Sequence, residues 1–192
     1  MKKTELIYRA ILQSVENKTV LTQLELAKAL EISLSTVNNA LLPLRKMGAI
    51  KVNRRNFHVI NVKKILYYWA SVRNLEKDII YKTRAEGIVS EIEKQMPPNV
   101  VFAAYTAYKF KFKDVAADYS EVYVYCNDAD LKELIKRFPK NNNNPNLFVL
   151  KKDFKDKKVS AAQIFVDLWN VKEWYASDFI KALEEKWSIG MT

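Results

Sequence analysis

Residues 26–41 read Leu26-Ala27-Lys28-Ala29-Leu30-Glu31-Ile32-Ser33-Leu34-Ser35-Thr36-Val37-Asn38-Asn39-Ala40-Leu41, two short helical patterns separated by a polar step. Leu24, Ala27 and Leu30 give the first pattern one apolar face. It starts at Thr22, a good N-cap, with Glu25 three residues on to complete a capping box. Ser33 caps the second, in which Val37, Leu41 and Leu44 face inward, and Gly48 stops it. Pro43 lies inside that helix and removes one backbone hydrogen bond, which predicts a kink after Asn39. Upstream, Ile7, Ala10, Ile11, Ser14 and Val15 predict an amphipathic helix over residues 4–16. Downstream, Ala49–Val52 and Phe57–Ile60 flank the polar turn Asn53-Arg54-Arg55-Asn56, the pattern of a β-hairpin.

This order of elements resembles a winged helix-turn-helix over residues 4–62. Small Ala27 lets two helices cross closely, and Val37, ten residues on, plugs the angle between them. Glu31 departs from the pattern at a turn position where glycine is common, so a somewhat different turn is expected. The resemblance implies double-stranded DNA as the partner, with the second helix entering the major groove by its N-terminal half. The candidate contacts on that helix are Ser33, Ser35, Thr36, Asn38 and Asn39, joined by Arg45 and Lys46. Lys51 and the wing-tip pair Arg54 and Arg55 complete the set, the latter two placed against the minor groove or its phosphates. Asparagine pairs bidentately with adenine, and serine or threonine reaches base or phosphate.

Charge supports this placement. Residues 1–63 carry eleven basic and four acidic side chains, a net +7 of the chain's +10. Phosphate-seeking charge is thus concentrated in the first third of 192 residues, a length suited to two small domains. With 49% apolar residues the chain can bury a real core. The single cysteine, Cys126, excludes an intrachain disulfide and reads as a buried strand residue. His58 is the only histidine and lies on a predicted strand, so a His-rich metal site is excluded. No apolar run approaches the roughly twenty residues of a membrane span, and Glu5 and Arg9 break the stretch behind Met1-Lys2-Lys3, so a cytoplasmic protein without membrane contact is expected.

Beyond residue 63, Leu75, Ile79, Ile80, Ile88 and Ile92 predict one long helix over 74–96, ended by Pro97-Pro98. Val100–Ala103, Glu121–Cys126 and Asn146–Leu150 read as strands, and Asp130–Phe138, Ala161–Trp169 and Lys172–Trp187 as helices. Asn141–Asn144, between two prolines, reads as an exposed loop. The expected fold is therefore α+β: a winged helix over 1–63, a helical connector over 64–96, and a small mixed sheet with flanking helices over 97–192.

The third segment resembles the region following the winged helix in antitoxins of the abortive-infection AbiE type. The resemblance lies in Tyr119–Tyr125, Asn146–Leu150 and above all Val159–Trp169. It implies a degenerate nucleotidyltransferase-like fold, an autorepressor of its own promoter, and a toxin as partner of the C-terminal domain. An active nucleotidyltransferase needs a Gly-Ser pair for the triphosphate and two strand carboxylates, one residue apart, for metal ions. None of Gly48, Gly87 and Gly190 precedes a serine, and the strand offers Glu121 and then Tyr123. Asp128 and Asp130 sit where a helix begins, the ordinary place of cap and dipole partners. The reading is a DNA-binding regulator, not an enzyme, without metal or cofactor and acting as a homodimer. The alternatives are a nucleotidyltransferase and an architectural DNA binder of low specificity. Gln163 and Asp167 share a helix face, four residues apart, as an ordinary intrahelical pair or a polar contact holding the final helices or a partner. Trp169, Trp174, Tyr175 and Trp187 suggest domain core or a dimer interface.

Overall fold

The computed structural model describes residues 1–53 and 56–190, the last four as backbone only, and divides the chain into two compact units, Met1–Arg73 and Asn74–Thr192. The first holds α1 (Lys3–Glu16), α2 (Gln23–Ala29), α3 (Leu34–Lys46), the hairpin β1 (Ile50–Val52) and β2 (Phe57–Val59), and α4 (Val62–Val72). Thr22 caps α2 in a reciprocal box: the Glu25 backbone N–H donates to Thr22 Oγ1 at 3.1 Å, and the Thr22 N–H to the Glu25 carboxylate at 2.7 Å. The strands pair antiparallel from Ile50↔Val59 to Val52↔Phe57. α3 continues through Pro43 to Lys46 without interruption.

Helices α1, α2 and α3 end in the same way. After each, one residue takes a left-handed conformation: Lys18 (φ 54°), Glu31 (φ 54°) and Gly48 (φ 67°). The next N–H then reaches back to the helix, from Thr19 to Ser14 O at 2.9 Å, Ile32 to Ala27 O at 3.0 Å and Ala49 to Leu44 O at 2.8 Å. Those bonds satisfy carbonyls that a helix end otherwise leaves open. Only the third turn uses glycine. Glu31 makes the left-handed turn itself, which locates the departure from the helix-turn-helix pattern in residue type rather than in turn shape.

The connector expected over 64–96 does not exist as such. α4 packs on α1 and completes the core of the first unit, where Ile65 and Trp69 are fully buried beside Ile7, Ile11, Val37 and Leu44. Tyr68 meets Tyr8 edge-on at 5.6 Å between ring centroids, and the Tyr8 hydroxyl donates to Ala40 O at 3.1 Å. The Glu5–Arg73 pair, 3.1 Å and almost wholly buried, ties the first turn of α1 to the residue that ends α4. Breaking one side of such a pair strands a buried charge, which is far costlier than losing a surface ion pair.

The predicted long helix over 74–96 is three elements in the second unit: a 3₁₀ turn (Leu75–Asp78), strand β3 (Ile79–Thr83) and short α5 (Val89–Lys94). Then come β4 (Val101–Ala103), α6 (Ala104–Phe112), β5 (Val122–Cys126), α7 (Asp128–Arg137), β6 (Leu147–Lys151), α8 (Ala161–Trp169) and α9 (Ala176–Gly190). The sheet order is β3-β6-β5-β4, with β5 and β6 parallel and the outer pairs antiparallel. All of β5 is buried, and its alternation sorts it between two layers. Val122, Val124 and Cys126 pack with Ile92 of α5 and Leu134 of α7. Tyr125 meets α8 on the other face. This is the expected α+β architecture with a small mixed sheet and flanking helices.

The turn analysis carries opposite predictions for two substitutions. Glu31→Gly should stabilise the protein by about 0.5–1 kcal/mol, the relief of a left-handed non-glycine residue less the greater freedom of the unfolded chain. Gly48→Ala should destabilise it by about 1 kcal/mol, from backbone strain and not from a clash. The nearest atom that its Cβ would meet is the Lys64 ammonium at 3.9 Å. Urea unfolding of both variants checks the two signs.

Candidate nucleic-acid interface

Helix α3 is amphipathic, and its two sides have different work. Val37, Ala40, Leu41 and Leu44 are buried against α1 and the hairpin, whereas Leu34, Ser35, Asn38, Asn39, Leu42, Arg45 and Lys46 are exposed. Asn38 lies one turn beyond Leu34, and Asn39 one turn beyond Ser35, so the four form a contiguous patch on the leading half of the helix. Among the described residues, Ser35, Asn38 and Asn39 have no side-chain partner, so their hydroxyl and amides stay available to a ligand.

Ser33 and Thr36 differ from the other candidate contacts. Ser33 Oγ accepts from the Thr36 backbone N–H at 3.1 Å, and the two hydroxyls lie 2.8 Å apart. They are joined to each other in the N-cap of α3, which gives them a structural role in starting the helix. The cations lie elsewhere. Arg45 and Lys46 occupy the last turn of α3, and Lys51 is exposed on β1 opposite exposed His58. The last turn is also where a helix dipole favours positive charge. Arg54 and Arg55 lie outside the described residues.

Leu34 is the residue that pattern reasoning misses. Its spacing to Val37, Leu41 and Leu44 continues the buried stripe, yet it is 44% exposed whereas Val37 is fully buried.

In the second unit, Glu121 and Tyr123 belong to a tyrosine–glutamate network. Tyr123 donates from its hydroxyl to Glu173 at 3.1 Å, as does Tyr105, also at 3.1 Å. The Tyr175 hydroxyl donates to Glu121, which also accepts from Ser120 at 2.9 Å. Glu93, buried, accepts from Thr106 at 3.0 Å, Tyr119 at 2.9 Å and Lys109 at 2.6 Å. Asp128 and Asp130 fall in the first turn of α7, capped by Asn127. Gln163 and Asp167 are fully buried, forming an intrahelical pair and joining α8 to the sheet. Gln163 Nε2 donates to Asp167 at 2.8 Å, and the Tyr125 hydroxyl reaches Asp167 at 2.8 Å from the sheet. Cys126 is fully buried, and burial pushes its thiol up to about 11, which keeps it protonated and poorly nucleophilic.

Of the aromatic residues grouped near the C-terminus, Trp169 and Trp174 are 45% and 80% exposed, so neither is core, and the side chain of Trp187 lies outside those described. Asn141 anchors its loop to the end of β3 by donating to Arg84 O at 2.8 Å. Among the described residues, no three or more His, Cys, Asp or Glu side chains are grouped to hold a metal ion, and no helix is long and apolar enough to cross a membrane.

Residues 7–51 match the family described as winged helix-turn-helix DNA-binding, which spans α1 through β1 and takes in the whole of α3. The chain therefore carries a winged helix-turn-helix domain, which supports a DNA-binding role. Comparison of the chain with curated proteins and with solved structures found no match.

The tyrosine network predicts alkaline sensitivity. Burial, reinforced by Glu173, raises the Tyr105 and Tyr123 hydroxyls well above their usual 10.0. Burial also raises Tyr119 and pushes Tyr175 up to about 12, the latter aided by its bond to Glu121. These groups hold their protons in the folded state while the unfolded chain ionises, so their contribution is intact below pH 10 and is lost above it. Unfolding midpoints should fall as pH rises past about 10. Tyrosinate absorbance should appear with unfolding for these residues, and full tyrosine ionisation in the folded protein near pH 10 would contradict the network.

Proposed function

We propose that this protein is a transcription regulator that binds duplex DNA through α3 and the hairpin, and that its C-terminal unit is not catalytic. The carrying observation is the exposed, unpartnered polar patch Ser35, Asn38 and Asn39 on a helix whose opposite side is locked into the core. The exposed cations Arg45, Lys46 and Lys51 supply phosphate contacts around it. The sequence resemblance of residues 97–187 to AbiE-type antitoxins supports a narrower reading within this one. In that reading the regulator represses its own promoter and its C-terminal unit takes a toxin as partner, with DNA bound by two copies on an inverted repeat. Absence of catalysis is supported by the bonding of Tyr123 to Glu173, where a second strand carboxylate is required for metal-dependent nucleotidyl transfer. A regulator of this kind works where the DNA is, in the cytoplasm.

Affinity for duplex DNA should fall roughly tenfold or more as salt rises from about 50 to 200 mM, because each phosphate contact releases counterions. The double variant Arg45→Ala/Lys46→Ala should bind every sequence more weakly and flatten that dependence, while its circular dichroism stays unchanged. Equal affinity and slope for the variant would remove the last turn of α3 from the interface.

A further inference from the structure

We infer that α3 reads A·T base pairs, with Leu34 as an apolar contact for a thymine methyl group beside Asn38 as the reader of adenine. The inference rests on the DNA-binding reading and specifies what that site recognises.

The leading half of α3 exposes Leu34, Ser35, Asn38 and Asn39 and no cation. Guanine is most often read by arginine or lysine at its O6 and N7, and here the nearest such side chains on the helix, Arg45 and Lys46, stand in its last turn. The remaining polar candidates, Ser33 and Thr36, have their hydroxyls joined 2.8 Å apart in the cap. The free readers are thus two amides and one hydroxyl, and an amide matches the N7 acceptor and N6 donor of adenine.

Leu34 adds the complementary half. Leu34, in the first helical turn where the helix leads into the groove, leaves 44% of its surface open to a partner. In the major groove, the thymine methyl is the apolar group that distinguishes T·A from the other pairs. Leu34 and Asn38 are four residues apart on one side of the helix, so one side chain can meet a methyl while the other meets the adenine of the same or the adjacent pair.

The test starts from duplexes selected out of a random-sequence pool by the full chain. Binding of the unselected pool at low salt first establishes DNA binding itself, so its loss would overturn the functional reading and the inference with it. Given binding, the selected sites should share a short A·T core. Replacing individual core thymines by uracil, which removes only the methyl group, should weaken binding of the parent protein roughly fourfold at one position, the worth of one buried methyl. Leu34→Ala should show the same loss on thymine DNA and no further loss on uracil DNA. Leu34→Met, which keeps an apolar contact, should retain sensitivity to uracil. Conserved G·C pairs at the core of the selected sites would overturn the assignment. So would independent, additive effects of Leu34→Ala and uracil, or parent binding indifferent to uracil at every position, in proteins whose unfolding curves remain cooperative.

Discussion

The angle at which α3 is presented hangs on Glu31, one residue held at φ 54°. It lets the chain reverse at once after α2, so that Ile32 bonds back to Ala27 O at 3.0 Å and Ser33 arrives in position to cap α3. Val37 then falls into the core with no exposed surface, beside equally buried Leu44. Without that left-handed step, the cap, the buried stripe and the exposed patch of α3 lose their common register, because rotation of a helix by one residue moves every side chain by about 100°. The same device closes α1 and α3, and the three turns together set the helical frame of the DNA-binding unit.

Most of this unit was legible in the sequence, since its signals are local. Thr22 with Glu25, Ser33 before a periodic run, and Gly48 after it each act within four residues of the helix end that they define. What was not legible depends on burial. Thr36 looks like a free hydroxyl until its bond to the capping Ser33 is seen, and Leu34 looks like core by its spacing although it is 44% exposed. α4 could not be assigned to this unit from its own pattern, because the contacts that place it on α1 are long-range, among them the Glu5–Arg73 pair, which joins residues 68 positions apart.

The second unit was harder to read for a related reason. Ile79, Ile80, Ile88 and Ile92 fit a helical period, yet they belong to an edge strand, a loop and a short helix. In β3 burial alternates residue by residue, but the outward position Ile80 is apolar and 38% exposed, so the residue types hide the period of two. The one local warning was Gly87, which adopts φ 93° and interrupts any helix through it. α6 shows the opposite problem. Ala104 through Tyr108 are all buried, so the segment has no polar face to reveal a period. Strand β5, by contrast, is legible from its β-branched and aromatic residues, but the hydrogen-bond partners of its tyrosine hydroxyls include residues 38 to 50 positions away.

On the DNA-binding reading proposed above, attraction and discrimination fall to different parts of one surface of the winged helix unit. The cations sit at the C-terminal end of α3 and on β1, where they can meet the backbone of any duplex, and such contacts carry no sequence information. On the proposed reading, the leading turns of α3 expose no charged side chain, so their side chains contribute through the base edges that they meet. A lysine or arginine there would strengthen binding to all DNA and blur that distinction. On that reading, short amides and one leucine make a weak but selective reader, and the charge behind them holds the helix against the groove while selection operates. Long-range attraction concentrates the protein on DNA, and the short-range fit of an uncharged face decides where it stays.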